Sequence, residues 1–533
     1  MDQATIQSGS ITPNGAPIDV AITIHCDKPS HPISPLIYGI GVQPNHDAPG
    51  SQEWVLGATA RRWGGNHTSR YNWERGNAWN TGKDWYFENV DYDDHAKAPA
   101  YQTFLDADLT HQMSTALTVP IIGWVAKDTT SYGFPVSLYG PQEHVAPEDA
   151  DIGNGVDPNG QPLPPGNPER TSVAMSADGI ARWVKTIRDR DATNGHRSVQ
   201  MYILDNEPTL WSSTHRDVHP RPVSYDELLQ RTVDYATAIR RADPDAVIAG
   251  PALWGWSAYF HSGVDQAAQP AHPDQDAHGG MPLLPWWLHE VAAKERENGT
   301  RLIDVVDVHF YPQGKGIGTG VDGDTDPDTQ ARRIRSTRSL WDPSYQDESW
   351  IDDKMEVIPR IRRWIDENHP GSGISIGEWN FGAERDISGG LAVAETLGHF
   401  GVEGIRSAFY WDYPARDSAA FWAFRAFRNF DGQGARFLDD SIAADSSDPR
   451  VSIFASRDPS THHLVLIVLA LDPSHAVNAK IDMSSCGRVV DDRRFAYPVS
   501  SKLGSVASAG TGSPIAMAPY SIAVVDRHVE NSR

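Results

Sequence analysis

Cysteine is nearly absent: only Cys26 and Cys486 occur among 533 residues. Two thiols exclude a disulfide scaffold, and their spacing excludes a metal knuckle. One bridge stays open, on the condition that the two ends of the chain meet. There is also no run of about 18 apolar residues to span a bilayer. The N-terminal "MDQATIQSGS" lacks the basic and apolar regions of a signal peptide. The sequence therefore reads as a soluble protein, or as the mature form of a secreted one from which an export signal has been removed. Basic residues are outnumbered 46 to 70, a net charge of −24. That balance repels phosphate backbones and anionic lipid, so neither nucleic acid nor a membrane surface is expected as partner.

What is abundant is tryptophan and tyrosine, 18 and 17 residues in an otherwise polar chain. Many stand beside Asn, Gly, Asp and Arg, as in "RRWGGN", "YNWERGNAWN" and "GKDWYFENV". Amphipathic rings among polar neighbours suit a wet groove that stacks on flat, hydroxylated ligands. The alternative is that most of these rings are ordinary core.

Eight apolar, β-branched segments recur along the chain: 36–42, 59–65, 116–124, 200–207, 246–253, 303–311, 374–380 and 405–411. They read as continuous apolar runs, as parallel strands covered on both faces do. Amphipathic helical patterns lie between them, at 101–112, 176–190, 224–242, 285–298, 351–368, 391–401 and 418–428. Ser224 and Glu227 predict a capping box for the third. This alternation predicts a (β/α)8 TIM barrel over 36–435. A doubly wound sheet is the alternative, but the Gly-rich phosphate turn expected after its first strand is missing. From 436 to 533 the pattern becomes short strands with little helical period, predicting an additional all-β sandwich. Residues 1–35 also read as β and are assigned to that sandwich, which would bring Cys26 towards Cys486. Two long loops, 126–175 and 312–348, are expected at the active-site mouth.

In a barrel, a polar residue at the C-terminal end of a strand points into the mouth. Glu207 in "YILDNEP" ends the fourth predicted strand and Glu378 in "ISIGEWN" ends the seventh, on opposite sides of that mouth. Two carboxyl groups facing one sugar are what glycosidic cleavage requires, and a separation of about 5–5.5 Å means retention of configuration. Glu207 is the expected acid/base, its pKa raised by a neighbouring carboxylate and partial burial. Glu378 is the expected nucleophile. Asn206 is placed to bond a sugar 2-hydroxyl, and Asp205 should face the opposite way as structural support. Arg62, His309, Tyr311 and Trp411 end other strands and are expected to support the nucleophile or form a sugar platform. Trp63 and Trp379 are further substrate-binding candidates.

The segments "RRWGGNHTSRYNWERGNAWNTGKDWYFEN", "GWVAKD", "YILDNEPTLWSSTHRDVHP", "DVHFYPQ" and "GEWNFG" resemble glycoside hydrolase family 44, endo-acting β-1,4-glucanases and xyloglucanases. The similarity runs from about residue 15 to the end. It implies a retaining mechanism, a barrel with a β-sandwich built from both termini, and a cleft of several sugar subsites. By position it puts Glu207 at the acid/base and Glu378 at the nucleophile. It also implies secretion and a β-glucan polysaccharide such as carboxymethylcellulose or xyloglucan as substrate. The sequence does not rank these against mannan or xylan.

Catalysis needs no cofactor in this reading. Asp149, Asp151 and Asn154 in "EDADIGNG" form a candidate oxygen set for a structural Ca2+, which relatives hold; a turn with solvated carboxylates is the alternative. "VDGDTDPDTQ" fails as an EF-hand, because Pro327 and Arg333 stand where Gly and Glu are needed. Two other functions compete: a non-catalytic β-glucan-binding protein, and a metal-dependent hydrolase using His215, His219 and His309. A monomer is expected.

Overall fold

The computed structural model describes residues 16–42, 52–92, 98–508 and 510–530. Eight parallel strands close into a barrel. They are β1 (Gly39–Val42), β2 (Ala60–Trp63), β3 (Ser114–Val119), β4 (Val199–Leu204), β5 (Ile248–Leu253), β6 (Val305–Phe310), β7 (Gly373–Trp379) and β8 (Ser407–Tyr410). Each coincides with one of the eight predicted segments. Closure is made by Phe409 pairing with Gly39 and Tyr410 with Ile40, so the doubly wound alternative is excluded. The interior is filled by small and branched side chains such as Ala60, Ala116, Ile203, Ala249 and Val305, with Phe409. A larger apolar shell joins the outward strand faces to the surrounding helices.

Helix starts follow local chemistry. Ser176, Ser224, Asp386 and Ser418 each accept a backbone N–H of the first turn. Only half of the predicted capping box forms. Ser224 accepts from the Glu227 amide at 3.1 Å, while the Glu227 carboxylate is drawn 2.8 Å from His219 and 2.8 Å from Arg231 instead.

Eight further strands follow the barrel, the first seven being β9 (Asp440–Ser446), β10 (Val451–Asp458), β11 (His463–Ala470), β12 (Val477–Asp482), β13 (Arg488–Val499), β14 (Lys502–Val506) and β15 (Ile515–Met517). The last is β16 (Ser521–Glu530). The N-terminal strand Ile18–His25 lies among them, antiparallel to β9 and parallel to β12. The sheet is therefore assembled from both ends of the chain. Cys26 and Cys486 are joined by a disulfide with their Cα atoms 5.0 Å apart. The first fifteen residues of the N-terminal β reading lie outside the described residues.

The sandwich core takes Leu464, Leu466 and Val468 from one face of β11, together with Val20, Ile22, Ile515 and Val525. The other face of β11, Val465, Ile467 and Leu469, joins the barrel shell. Burial on both faces explains why "LVLIVLA" does not alternate. The contact with the barrel runs along helix Ile387–Val402, where Gly398 leaves room for Phe454. A Cβ there would stand 2.4 Å from that ring.

Candidate active site

Glu207 follows β4 and Glu378 lies within β7, and both line a cleft of about 740 Å3 at the C-terminal mouth of the barrel. The backbone turns sharply to deliver the first of them. Asp205 and Glu207 both have positive φ, 68° and 47°, a conformation uncommon outside glycine. Asp205 anchors this turn. It is fully buried and accepts from the Ser69 hydroxyl and from the backbone of Ile121, Ile122 and Asn206. Its expected structural role therefore has named partners, which tie the end of β4 to the end of β3.

One oxygen of Glu207, one of Glu378 and a ring nitrogen of His309 all lie within 4.8 Å of one another. His309 Nδ1 is 2.8 Å from Oε1 of Glu207 and 3.4 Å from Oε2 of Glu378. Burial pushes the imidazole down to about 4, so the ring between the two carboxyls is neutral near pH 7. Tyr311 donates its hydroxyl to Oε2 of Glu378 at 2.8 Å. Burial and the adjacent Glu378 raise that phenol well above its usual range, which keeps it a donor.

Arg62, from β2, reaches beneath both. Its Nη1 donates to Oε1 of Glu378 at 2.5 Å and its Nη2 to Oδ1 of Asn206 at 3.0 Å. Burial alone would lower the guanidinium pKa, but Glu378 and Asp307 beside it raise it. Asn206 passes the connection on, donating to Asn66 Oδ1 at 3.1 Å; Asn66 in turn donates to both oxygens of Asp84. Arg62 is fully buried and does not line the cleft, so its part is the expected support of Glu378 and not contact with a sugar.

The Glu207 carboxyl is pushed up to about 7. The dominant cause is burial, opposed by Arg62 and reinforced by Asp84. The neighbouring carboxylate expected from the sequence is therefore Asp84, beyond the adjacent turn, rather than a residue beside Glu207 in the chain.

Trp411 lines the cleft, and its ring lies over Gly41, where a Cβ would be 2.4 Å from the indole. Trp63 and Trp379 do not reach the cleft, a correction to their expected role. Trp63 packs against Tyr71, Trp79 and Phe104, and Trp379 against Phe400, Tyr410 and Phe424. Period-2 alternation explains both: each stands one residue from an inward-facing neighbour, Arg62 or Glu378, and so faces the helices.

The expected long loops also need correcting. Neither 126–175 nor 312–348 lines the cleft; its wall comes from the segment after β2, with Asn66, Asp84, Trp85 and Tyr92. Trp85 is 43% exposed. The first long loop stands behind that wall, where Glu148 accepts from the Trp85 indole at 2.9 Å. These wall residues were not predicted as site residues, although three of the four lie in the polar-aromatic motifs noted in the sequence.

The family model for glycoside hydrolase family 44 matches residues 78–314. The crystal structure of CelM2, a bifunctional glucanase-xylanase from a metagenome library, is 33% identical with a TM-score of 0.89, over 97% of this chain and 100% of that one. The chain belongs to glycoside hydrolase family 44. A family 44 xyloglucanase from Paenibacillus polymyxa, solved with xyloglucan, is 26% identical with a TM-score of 0.79 over 96% of this chain and 100% of that one. Endoglucanase A of Paenibacillus lautus is 32% identical over 493 residues, 88% of this chain, which spans 66% of that relative's length.

His215 is buried with both ring nitrogens unpartnered, and burial holds its pKa well below the ordinary value. His219 is engaged by Glu227. Neither is grouped with His309, whose neighbouring ligand atoms are those of Glu207 and Glu378, so the three-histidine metal set does not assemble among the described residues.

Asp149, Asp151 and Asn154 lie in one turn, with oxygens already used by protein donors. Asp151 accepts from Tyr132 and Ser137, Asp149 from the amide of Asp151, and Asn154 from the amide of Val156. Beneath Glu207 and Glu378, Asp307 is fully buried, and burial raises its pKa.

Proposed function

We propose that the chain is an endo-acting β-1,4-glucanase that hydrolyses β-glucans with retention of configuration, Glu378 serving as nucleophile and Glu207 as acid/base. The observation that carries this reading is the proximity of the two carboxyls. Oxygens within 4.8 Å of each other suit the narrow spacing of retaining enzymes and leave no room for the interposed water of inverting ones.

In the first step Glu378 attacks the anomeric carbon while Glu207 delivers its proton to the departing glycosidic oxygen. The C–O bond to the leaving sugar breaks and a glycosyl ester forms on Glu378. In the second step Glu207, now a carboxylate, takes a proton from water as that water attacks the same carbon and releases Glu378. Burial supports the acid role, since a carboxyl pushed up to about 7 carries a proton under mildly acidic conditions. The Arg62 and Tyr311 donors fix one rotamer of Glu378 for attack. Trp411 and Trp85 offer flat surfaces for glucosyl rings.

The open, solvent-accessible cleft supports internal cleavage of a polymer. A β-1,4-glucan or xyloglucan is the preferred substrate class, and the glucanase-xylanase relative supports testing xylan beside them. The Cys26–Cys486 bridge supports an extracellular, oxidising setting. Proton NMR of the first product from a cello-oligosaccharide tests the stereochemistry. The β-anomer must appear before mutarotation; the α-anomer appearing first would refute retention. Product profiles on carboxymethylcellulose, xyloglucan, mannan and xylan rank the substrates.

A further inference from the structure

A second group of potential ligands sits on the sandwich and shares no residue with the catalytic cleft. His463 of β11 pairs directly with His528 of β16. Asp526 precedes His528 by two residues and so projects from the same face of the sheet. One ligand atom from each of the three lies within 4.8 Å of the others. The imidazoles are stacked, 4.4 Å between centroids and 5° from parallel. His463 Nε2 shares a hydrogen bond with Oδ1 of Asp526, and Arg493 of β13, opposite Asp526 in the ladder, donates to Oδ2.

We propose that His463, Asp526 and His528 bind a divalent transition-metal cation, Zn2+ by the chemistry of the donors. Two imidazoles and one carboxylate oxygen form a three-ligand set that suits Zn2+ and not Ca2+, which takes oxygen. The bland alternative is a structural His–Asp–Arg network. That network accounts for one imidazole only: the carboxylate serves His463, while His528 makes no hydrogen bond among the described residues.

Both histidines are part-exposed and Asp526 is 1% exposed, so the anion is buried and the ring edges open to solvent. An ion would enter from that side and keep a water in its fourth position. Ligand atoms around tetrahedral Zn2+ stand about 3.3 Å apart, which rotation of the two rings can supply. Binding replaces the proton shared by His463 and Asp526 and releases it to solvent. Arg493 keeps the second carboxylate oxygen, the orienting position that outer partners occupy in metal sites. The ion would clip β11 to β16, two neighbouring strands of the sandwich.

The test is isothermal titration of the untagged, metal-stripped full chain with ZnCl2 at pH 7.5. Expected is a site that the His463→Gln/His528→Gln double variant weakens by at least about 100-fold. Arg493→Gln should weaken the same site by about tenfold. Glu207→Gln should retain it, separating it from any ion held at the catalytic carboxyls. Co2+ in place of Zn2+ should give a visible ligand-field band that the double variant lacks, and excess CaCl2 should not displace Zn2+ from the site. The single variant His528→Ala, at a part-exposed position, repeats the test if the double variant loses its circular dichroism spectrum. Zn2+ affinity unchanged in the histidine variants, or no binding by the intact chain, would overturn the site.

Discussion

Arg62 Nη1 lies 2.5 Å from Oε1 of Glu378, with Arg62 fully buried and Glu378 lining the cleft. A buried carboxylate without its partner is costly, by about 3–5 kcal/mol where one member of such a pair is removed. Replacing Arg62 by Met is therefore expected to lower both stability and turnover. The loss in kcat should be about a hundredfold or more, since the nucleophile loses its orienting donor. Steady-state kinetics on carboxymethylcellulose beside a thermal melt check this. A variant with normal kcat would remove Arg62 from the mechanism.

The pH profile follows from Glu207. The acid must be protonated for the first step, so kcat/KM is expected to fall as pH rises through about 7. Glu207→Gln should abolish turnover of unactivated glucans. On an aryl glucoside whose leaving group needs no acid, it should react without that alkaline limb, and azide should trap the glycosyl ester as a β-glycosyl azide. The same shift has a stability sign. With its pKa raised on folding, Glu207 binds more proton in the folded than in the unfolded state between about 4.3 and 7. Its contribution is present below that window and is lost as pH rises through it. Chemical denaturation of the parent and of Glu207→Gln across pH 4–8 measures the difference.

The two classes of tryptophan should separate in experiment. Trp85 is 43% exposed on the cleft wall, so Trp85→Ala should raise KM for oligosaccharides by about tenfold with little change in melting temperature. Trp379 is fully buried among aromatic rings, so Trp379→Ala should cost about 3–5 kcal/mol of stability. The reverse pattern would contradict the division made here.

The Cys26–Cys486 bridge joins the N-terminal strand region to the turn before β13. Mass measurement of the denatured chain should differ by two hydrogens with and without reductant. Cys26→Ser should lower sandwich stability by about 2–4 kcal/mol.

The barrel was legible because each of its strands is buried on both faces, which leaves continuous apolar runs such as "IAGPAL" that stand out against the helices. That Glu207 and Glu378 would meet in one cleft was legible for the same reason, since a carboxylate closing such a run has few structural explanations. Trp63 and Trp379 were misplaced because a motif names residues without saying which face of the strand each occupies. One step along β2 or β7 separates the barrel interior from the helix layer. The wall at Asn66, Asp84 and Trp85 was hidden because loop length is a poor guide to loop position. The 126–175 loop stands behind the wall, and the segment after β2, about as long as 312–348, supplies the wall itself. The link from Arg62 through Asn206 and Asn66 to Asp84 joins residues from three separate stretches of chain, and no local pattern encodes it.

The central claim is that Glu378 forms a covalent glycosyl ester. Incubation with a 2-deoxy-2-fluoro-cellobiosyl fluoride, followed by peptic digestion and mass spectrometry, tests it directly. The account predicts one fluorinated cellobiosyl group on the peptide carrying Glu378, absent in Glu378→Gln and present in Glu207→Gln. A label on any other carboxylate, or hydrolysis of the reagent to an α-configured sugar with no label at all, would contradict it.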